Sequence, residues 1–388
     1  MNFDQIIERR GTNALKWDGM KHFYASTEAI PLWVADMDFE TAPVIRKALE
    51  RRVAHGIYGY VDVPETFFQK ASDWGTRRYG HTFDPKELIF THGAVPSIAL
   101  IMKEMVAEGE KVIIQPPVYG PFSSVPTNYQ RQLMENPLIE VEGRYTIDFD
   151  GFEALAKQPD VKWFILCNPH NPVGRAWTRE ELTRLASICV AHNLHVISDE
   201  IWRDLIYSGH QHIPFASISP EVAELTITMF SATKTFNIAG LQASYVHMSK
   251  NDDREKFMTA LRRTDLTLPN AFAVDAVEAA FDGGEPWLIE LLDYLEGNMA
   301  LLEEWFKEKM PQVKFHKPEA TYLAWIDFRG LNLSQSELMK RLIDAGIALN
   351  DGSWFGKQGT GFARLNVACP RPILVEALKR IENVVLLL

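Results

Sequence analysis

Val161-Lys-Trp-Phe-Ile-Leu-Cys167 runs into Asn168-Pro-His-Asn-Pro-Val-Gly174, then Thr178-Arg-Glu-Glu181 opens a helical stretch to Ala191, and His195-Val-Ile-Ser198 leads into Asp199-Glu200. The first seven residues are an apolar run of strand-forming types. Asn-Pro-x-Asn-Pro is a turn by composition. Thr178 and Glu181 stand at capping-box spacing, which fixes where the helix begins. A strand, a turn, an amphipathic helix and a second strand of these lengths make a βαβ unit, and hence a parallel sheet covered by helices.

The same alternation extends in both directions from about residue 45 to 285. Further strands are expected at Leu88–Thr91, Lys111–Gln115, Thr226–Phe230 and Ala243–Met248, with a helix at Ser97–Ala107. Beyond residue 285 the character changes. A long helix, Pro286 to Lys309, precedes a strand at Tyr322–Asp327. Ser334-Gln-Ser-Glu337 caps another helix, a strand follows at Phe362–Val367, and a last helix starts at Arg371. The first 44 residues have no regular period. The expected organisation is a large α/β domain over 45–285 and a smaller α+β domain built from 1–44 and 286–388.

Composition narrows the function. The 388 residues are 46% hydrophobic and 23% charged, with a formal charge of −11, so no basic surplus exists to neutralise nucleic acid or an acidic membrane. Cys167, Cys189 and Cys369 are odd in number and widely spaced, which fits neither a disulfide framework nor zinc. They read as small core residues in a reducing compartment. The N-terminal MNFDQIIERRGTNALKWD is polar and mixed in charge, unlike a signal peptide, and the apolar run VVLLL is far too short to span a bilayer. The expectation is a cytoplasmic protein with no membrane or nucleic-acid partner and no metal.

In an open parallel sheet, ligands bind beyond the carboxyl ends of the strands. Four strand exits carry residues a packed core does not require: His92-Gly93-Ala94, Asn168 to Gly174, Asp199-Glu200, and Ser231-Ala-Thr-Lys234. They offer a helix N-terminus, an amide, a carboxylate and an amine on one rim. Each alone has an ordinary reading as a turn, a cap or a solvated lysine. Together, with 28 residues from Asn171 to Asp199 and 35 from Asp199 to Lys234, they resemble the fold-type I pyridoxal-phosphate (PLP) enzymes, the aspartate aminotransferase superfamily. Phe3-Asp4, Arg10-Gly-Thr-Asn13, Lys16-Trp-Asp18, Trp33-Val-Ala-Asp-Met-Asp-Phe39, Gly59-Tyr60 and Lys234-Thr-Phe-Asn-Ile-Ala-Gly240 resemble one branch of it, the cystathionine β-lyase-like C–S lyases.

The resemblance implies a mostly parallel seven-stranded sheet sandwiched by helices, PLP as cofactor, an amino-acid substrate and a homodimer with shared active sites. It assigns Lys234 as the amine that carries the cofactor and then acts as general base on the α-proton. Asp199 pairs with the ring nitrogen, Asn171 reaches the ring oxygen, and Tyr119 stacks on the ring. Gly93 and Ala94 at a helix N-terminus, with Ser231, take the phosphate, and Tyr60 reaches the phosphate of the neighbouring subunit. Arg364, in Gly361-Phe-Ala-Arg-Leu-Asn366, holds the substrate α-carboxylate, a fork geometry lysine lacks, and Ala35 belongs to the substrate site.

Two positions depart from the common aminotransferase pattern. Trp202 stands where many relatives have a tyrosine beside the ring oxygen, and Gln242 where many have an arginine at the phosphate. An indole donates but cannot accept. These departures and the N-terminal motifs favour β-elimination from an S-substituted L-cysteine. Transamination by the same residues is the alternative, and a regulatory protein retaining the fold is a third. His22, His55 and His92 read as structural. Trp33 and Trp354 could line the substrate pocket.

Overall fold

Both faces of the strand Val161–Cys167 are covered, which explains why its sequence is nearly continuous apolar rather than alternating. Trp163, Ile165 and Cys167 join one hydrophobic cluster and Phe164 and Leu166 the other, the period of two that a strand imposes. In the computed structural model, which describes residues 1–24 and 26–387, this strand is one of seven. Their spatial order is Leu88–Thr91, Ser244–Met248, Thr226–Phe230, His195–Asp199, Val161–Cys167, Lys111–Ile114 and Gln132–Glu135. Ser244–Met248 runs antiparallel to both neighbours, and the other adjacent pairs are parallel. Helices Ala94–Glu104 and Asn251–Arg263 pack on one face through Ile98, Ile101, Phe257 and Leu261. Helix Arg179–Ala191 packs on the other through Leu182, Leu185 and Cys189.

A second, antiparallel sheet has the order Lys314–Phe315, Leu323–Asp327, Phe362–Asn366, Asn350–Asp351. Its apolar residues share a core with the 25-residue helix Glu285–Lys309 and with Arg371–Leu386. The N-terminal segment is tied to this part of the chain, where Ile30–Pro31 pairs in parallel with Ile347–Ala348. All three cysteines are free and buried. Among the described residues no helix is long and apolar enough to cross a membrane.

Two expectations need adjustment. The helix after Gly93 spans Ala94–Glu104 rather than Ser97–Ala107, because Gly93 itself is the N-cap and Pro96 lies in the first turn, where its missing N–H costs nothing. The strand Gln132–Glu135 was not located by pattern. It is a partly exposed edge strand without β-branched residues.

Candidate active site

A cavity of about 530 Å³ opens at the carboxyl ends of the parallel strands, a size ordinary for small-molecule sites. Each of the expected strand exits contributes to its wall: Gly93 and Ala94, Tyr119, Asn171, Asp199 and Trp202, and Lys234. The N-terminal segment adds Trp33 to Ala35, and the small sheet adds Asn350 and Arg364.

Lys234 is half-buried, and its Nζ donates to the carbonyl of Ala35 at 2.7 Å. The same carbonyl accepts from the hydroxyl of Tyr322 at 2.9 Å. Burial and the nearby Arg364 cation pull the lysine pKa down to about 8, against the opposing pull of Asp36 and Asp199. The segment that presents Ala35 is held at many points. Asn366 Nδ2 donates to the carbonyls of Val34 and Asp36 at 2.7 and 2.6 Å. Asn237, three residues after the lysine, bonds the backbone of Met37 and Phe39. Behind it lies an ion cluster. The fully buried Lys16 reaches Asp38 at 2.6 Å, Arg9 bridges Asp36 and Asp38 at 2.8 and 2.6 Å, and Trp17 Nε1 donates to Asp38 at 3.0 Å. The N-terminal motifs therefore build a strap whose exposed product is one carbonyl aimed at Lys234.

Arg364 is buried, yet its hydrogen-bond partners are all neutral: Asn171 Oδ1 at 3.0 Å, the Trp33 carbonyl at 2.9 Å and Asn350 Oδ1 at 2.6 Å. Its Nε has no partner, and among the described residues no carboxylate pairs with it. Burial pulls its pKa down to about 10. A desolvated guanidinium facing a cavity without an anion is suited by its chemistry to a carboxylate. Arg364 and Asn366 alternate along one strand and so project to one side, the arginine to the cavity and the asparagine to the strap.

Asp199 and Glu200 are adjacent and both buried. Glu200 accepts from Ser198 Oγ, His212 Nε2 and the Phe215 N–H at 2.9, 3.0 and 2.9 Å. Burial opposes its ionisation, but these donors hold its pKa below the usual range. Asp199 accepts from the Ile201 N–H at 3.1 Å, and burial pushes its pKa up to about 7. It is a carboxylate short of donors at a cavity wall.

These residues fit PLP. Asp199 lacks the cationic N–H donor that a pyridinium provides, and Lys234 offers an amine close to its neutral form. Gly93, at φ +139°, caps helix Ala94–Glu104 with no side chain over the first-turn N–H groups and no acidic residue there, which suits a phosphate. Trp202 packs edge-on against Tyr322 at 4.8 Å.

Some expected residues lie elsewhere. Ser231 does not line the cavity: its buried hydroxyl sits 2.6 Å from the Ala243 carbonyl and accepts the Thr233 N–H at 2.9 Å, shaping the turn before Lys234. Tyr60 is 99% exposed within the irregular segment 56–64 and does not line this chain's cavity. Trp33 lines the cavity and Trp354 does not; nor do His22, His55 or His92. Tyr322 and Asn350 escaped the sequence reading, because one precedes a strand and the other starts a two-residue strand with no motif around it. Cys167 also lines the wall, where it accepts from the Asn171 N–H at 3.4 Å.

A mostly parallel sheet with a lysine, a carboxylate and a bare helix N-terminus at its strand ends defines a PLP-dependent enzyme of the aspartate aminotransferase fold. The chain belongs to the aminotransferase class I and II family, whose profile matches residues 27–381. It is 42% identical over 383 residues to cystathionine β-lyase PatB of Bacillus subtilis, covering 98% of this chain and 99% of that one. The PLP-bound putative aminotransferase from Clostridium difficile 630 has a TM-score of 0.97 at 44% identity, covering 99% of both chains. The PLP-bound C–S lyase from Staphylococcus hominis has a TM-score of 0.92 at 35% identity, covering 99% of this chain and 98% of that one.

Proposed function

We propose that the chain is a PLP-dependent C–S β-lyase that cleaves L-cystathionine or a related S-substituted L-cysteine to a thiol, pyruvate and ammonia. The observation that carries this reading is Arg364, a buried cation with only neutral partners, in one cavity with the low-pKa amine of Lys234.

Asp199 would hold the ring nitrogen of PLP, Asn171 and Trp202 its ring oxygen, Tyr119 its face, and the Gly93–Ala94 helix terminus its phosphate. Bound there, PLP supplies the electron sink for the carbanion at Cα. Arg364 grips the substrate carboxylate through its planar fork, which fixes which bonds at Cα and Cβ face Lys234. Lys234 Nζ takes the α-proton, the Cβ–S bond breaks, and the sulfur leaves with the bonding pair as a thiolate. The three-carbon enamine left behind hydrolyses to pyruvate and ammonia. Ala35 and Tyr322 keep the amine near Cα without neutralising it, since a carbonyl accepts a hydrogen bond but supplies no counter-charge.

The choice of elimination over transamination rests on the full-length likeness to PatB, with Trp202 and Gln242 in place of the tyrosine and arginine usual in aminotransferases. The chain is further read as a cytoplasmic homodimer. The exposed apolar residues Val53, Ile57, Tyr58 and Tyr60 motivate a subunit interface, from which Tyr60 would reach the neighbouring site. Residues 45–285 form the cofactor-binding domain in this reading, and 1–44 with 286–388 the smaller one.

The test is pyruvate release from L-cystathionine and S-ethyl-L-cysteine, coupled to lactate dehydrogenase, with Lys234→Ala as control. Steady release that falls about a thousandfold or more in the variant is expected. Release of neither thiol nor pyruvate, with amino-group transfer to a 2-oxo acid instead, would move the assignment to transamination.

A further inference from the structure

Glu319 does not line the cavity, yet it ties together two parts of the chain that meet inside it. Its buried carboxylate accepts from Arg175 Nε at 2.8 Å and from the Ala176 N–H at 3.0 Å. Arg144 adds Nε and Nη2 at 3.3 and 3.2 Å. Arg175 is buried too, and its remaining nitrogens donate to the Tyr145 carbonyl and to both oxygens of Glu181. Arg144, Arg175, Glu181 and Glu319 therefore balance in charge. A buried network of this kind contributes little net stability against apolar packing of the same shape. Fully satisfied, it does hold a single geometry.

The backbone at this joint is closed as tightly. The Glu319 and Ala320 N–H groups both donate to the Gly174 carbonyl, at 2.8 and 3.0 Å. The Thr321 N–H donates to the Leu205 carbonyl at 2.7 Å, and the Tyr207 N–H to the Glu319 carbonyl at 3.1 Å. A Cβ on Gly174 would collide with the ring of Pro318, so glycine alone admits this approach. Thr321 is held at φ +70°, where β-branched residues are rare and persist only when their surroundings over-determine them.

What the joint connects bears on the ligand. Arg175 directly follows Asn168–Gly174, the turn that carries Asn171. Glu319 leads through Tyr322 into the strand Leu323–Asp327, whose Trp325 is the cross-strand partner of Arg364. Inside the cavity Arg364 donates to Asn171 at 3.0 Å. The same two pieces of chain are thus linked once within the cavity and once outside it.

We propose that Glu319 is a positioning residue for substrate binding: by joining the Asn171 turn to the antiparallel sheet, it sets the distance at which Arg364 meets the α-carboxylate. The proposal rests on the role given to Arg364 above. Glu319 touches neither substrate nor cofactor and acts only through the placement of that guanidinium.

The experiment measures equilibrium binding to the holoenzyme, from the absorbance of the bound cofactor, of L-methionine and 3-(methylthio)propylamine. The two differ only in the α-carboxylate, and methionine carries its sulfur on Cγ, so no Cβ–S bond is there to break. Glu319→Gln should raise the Kd of L-methionine about tenfold, the cost of a misplaced binding group. It should leave the amine and PLP itself within about twofold, and in an Arg364→Met background it should change none of the three by more than about twofold. Equal weakening of both compounds would make Glu319 a structural residue and overturn the proposal. A preference for L-methionine that survives Arg364→Met would overturn instead the role of Arg364, and with it the reading beneath the proposal. Should Glu319→Gln fail to fold, Arg144→Met removes a donor at the half-exposed end of the network. It should lower the preference for L-methionine by about twofold or more, and an unchanged preference would overturn the proposal.

Discussion

Two sets of buried and half-buried charges flank the N-terminal strap, and they are finished to different degrees. In the N-terminal strap, Lys16, Arg9, Asp36 and Asp38 pair with one another, and Trp17 fills a remaining acceptor site. In the cavity, Arg364 has only amides and a carbonyl, Asp199 one backbone N–H, and Lys234 one carbonyl. The contrast is sharpest at Asp199 and Glu200, adjacent residues of which the second has three donors and the first has one. A desolvated charge that the fold satisfies is structural. Of these two sets, the charges left short are the ones that line the cavity.

The largest effect that tests this contrast is on stability. Asp38→Ala leaves the Lys16 ammonium fully buried with only the more distant Asp36, and should cost about 3–5 kcal/mol. Arg364→Met in protein stripped of cofactor should change stability by less than about 1 kcal/mol, because relief of the buried charge offsets the lost hydrogen bonds. It should nevertheless raise KM for amino-acid substrates at least about tenfold. Denaturant unfolding of both variants makes the measurement, and equal losses of stability would break the contrast.

Much of this was readable from sequence, and what was not has a physical cause. Lys234, Asp199, Asn171 and the capped helix at Thr178 are local signals: each sits in a strand exit or cap whose residue types are dictated by backbone geometry. The strap is different. Lys16-Trp-Asp18 and Trp33 to Phe39 stand out as motifs, but their pairing across some 20 residues of irregular chain leaves no periodic trace. Tyr322 and Asn350 meet the site through tertiary packing of the small sheet and escaped for the same reason. Ser231 is a motif position whose hydroxyl bonds within the turn before Lys234, a contact that no sequence spacing announces.

The second test sets the two neighbouring carboxylates against each other across pH. In the cofactor-free protein the pKa of Asp199 is raised to about 7, so the folded state holds its proton more tightly than the unfolded chain. Stability from this group is intact near pH 4 and is lost as pH rises towards 7. Asp199→Asn should therefore stabilise the stripped protein by about 2–4 kcal/mol at pH 8 and hardly at all at pH 4. Glu200 has the opposite sign. Its pKa lies below the usual range, so its contribution is present at neutral pH and lost on acidification, and Glu200→Gln should destabilise at pH 8. Chemical denaturation at the two pH values reads both, and a shared sign would mean that the donors around Glu200 do not distinguish it from Asp199.

The smallest effect concerns Lys234. Burial first, and Arg364 second, pull its pKa to about 8, while Asp36 and Asp199 pull the other way. At pH 7 about one amine in ten would then be neutral, against fewer than about one in a thousand for an ordinary lysine. Cofactor uptake by the stripped protein needs the neutral amine, so its rate should rise with pH through a midpoint near 8. Arg364→Met removes a repelling cation and should move that midpoint up. Asp199→Asn removes an attracting anion and should move it down. Recombination rates followed by absorbance between pH 6 and pH 10 supply all three midpoints. Opposite shifts in the two variants would show that the unpaired charges of the cavity act on one another, as members of a single unfinished site. Midpoints unmoved from one variant to the other would leave desolvation as the sole influence on the lysine and divide that site into independent parts.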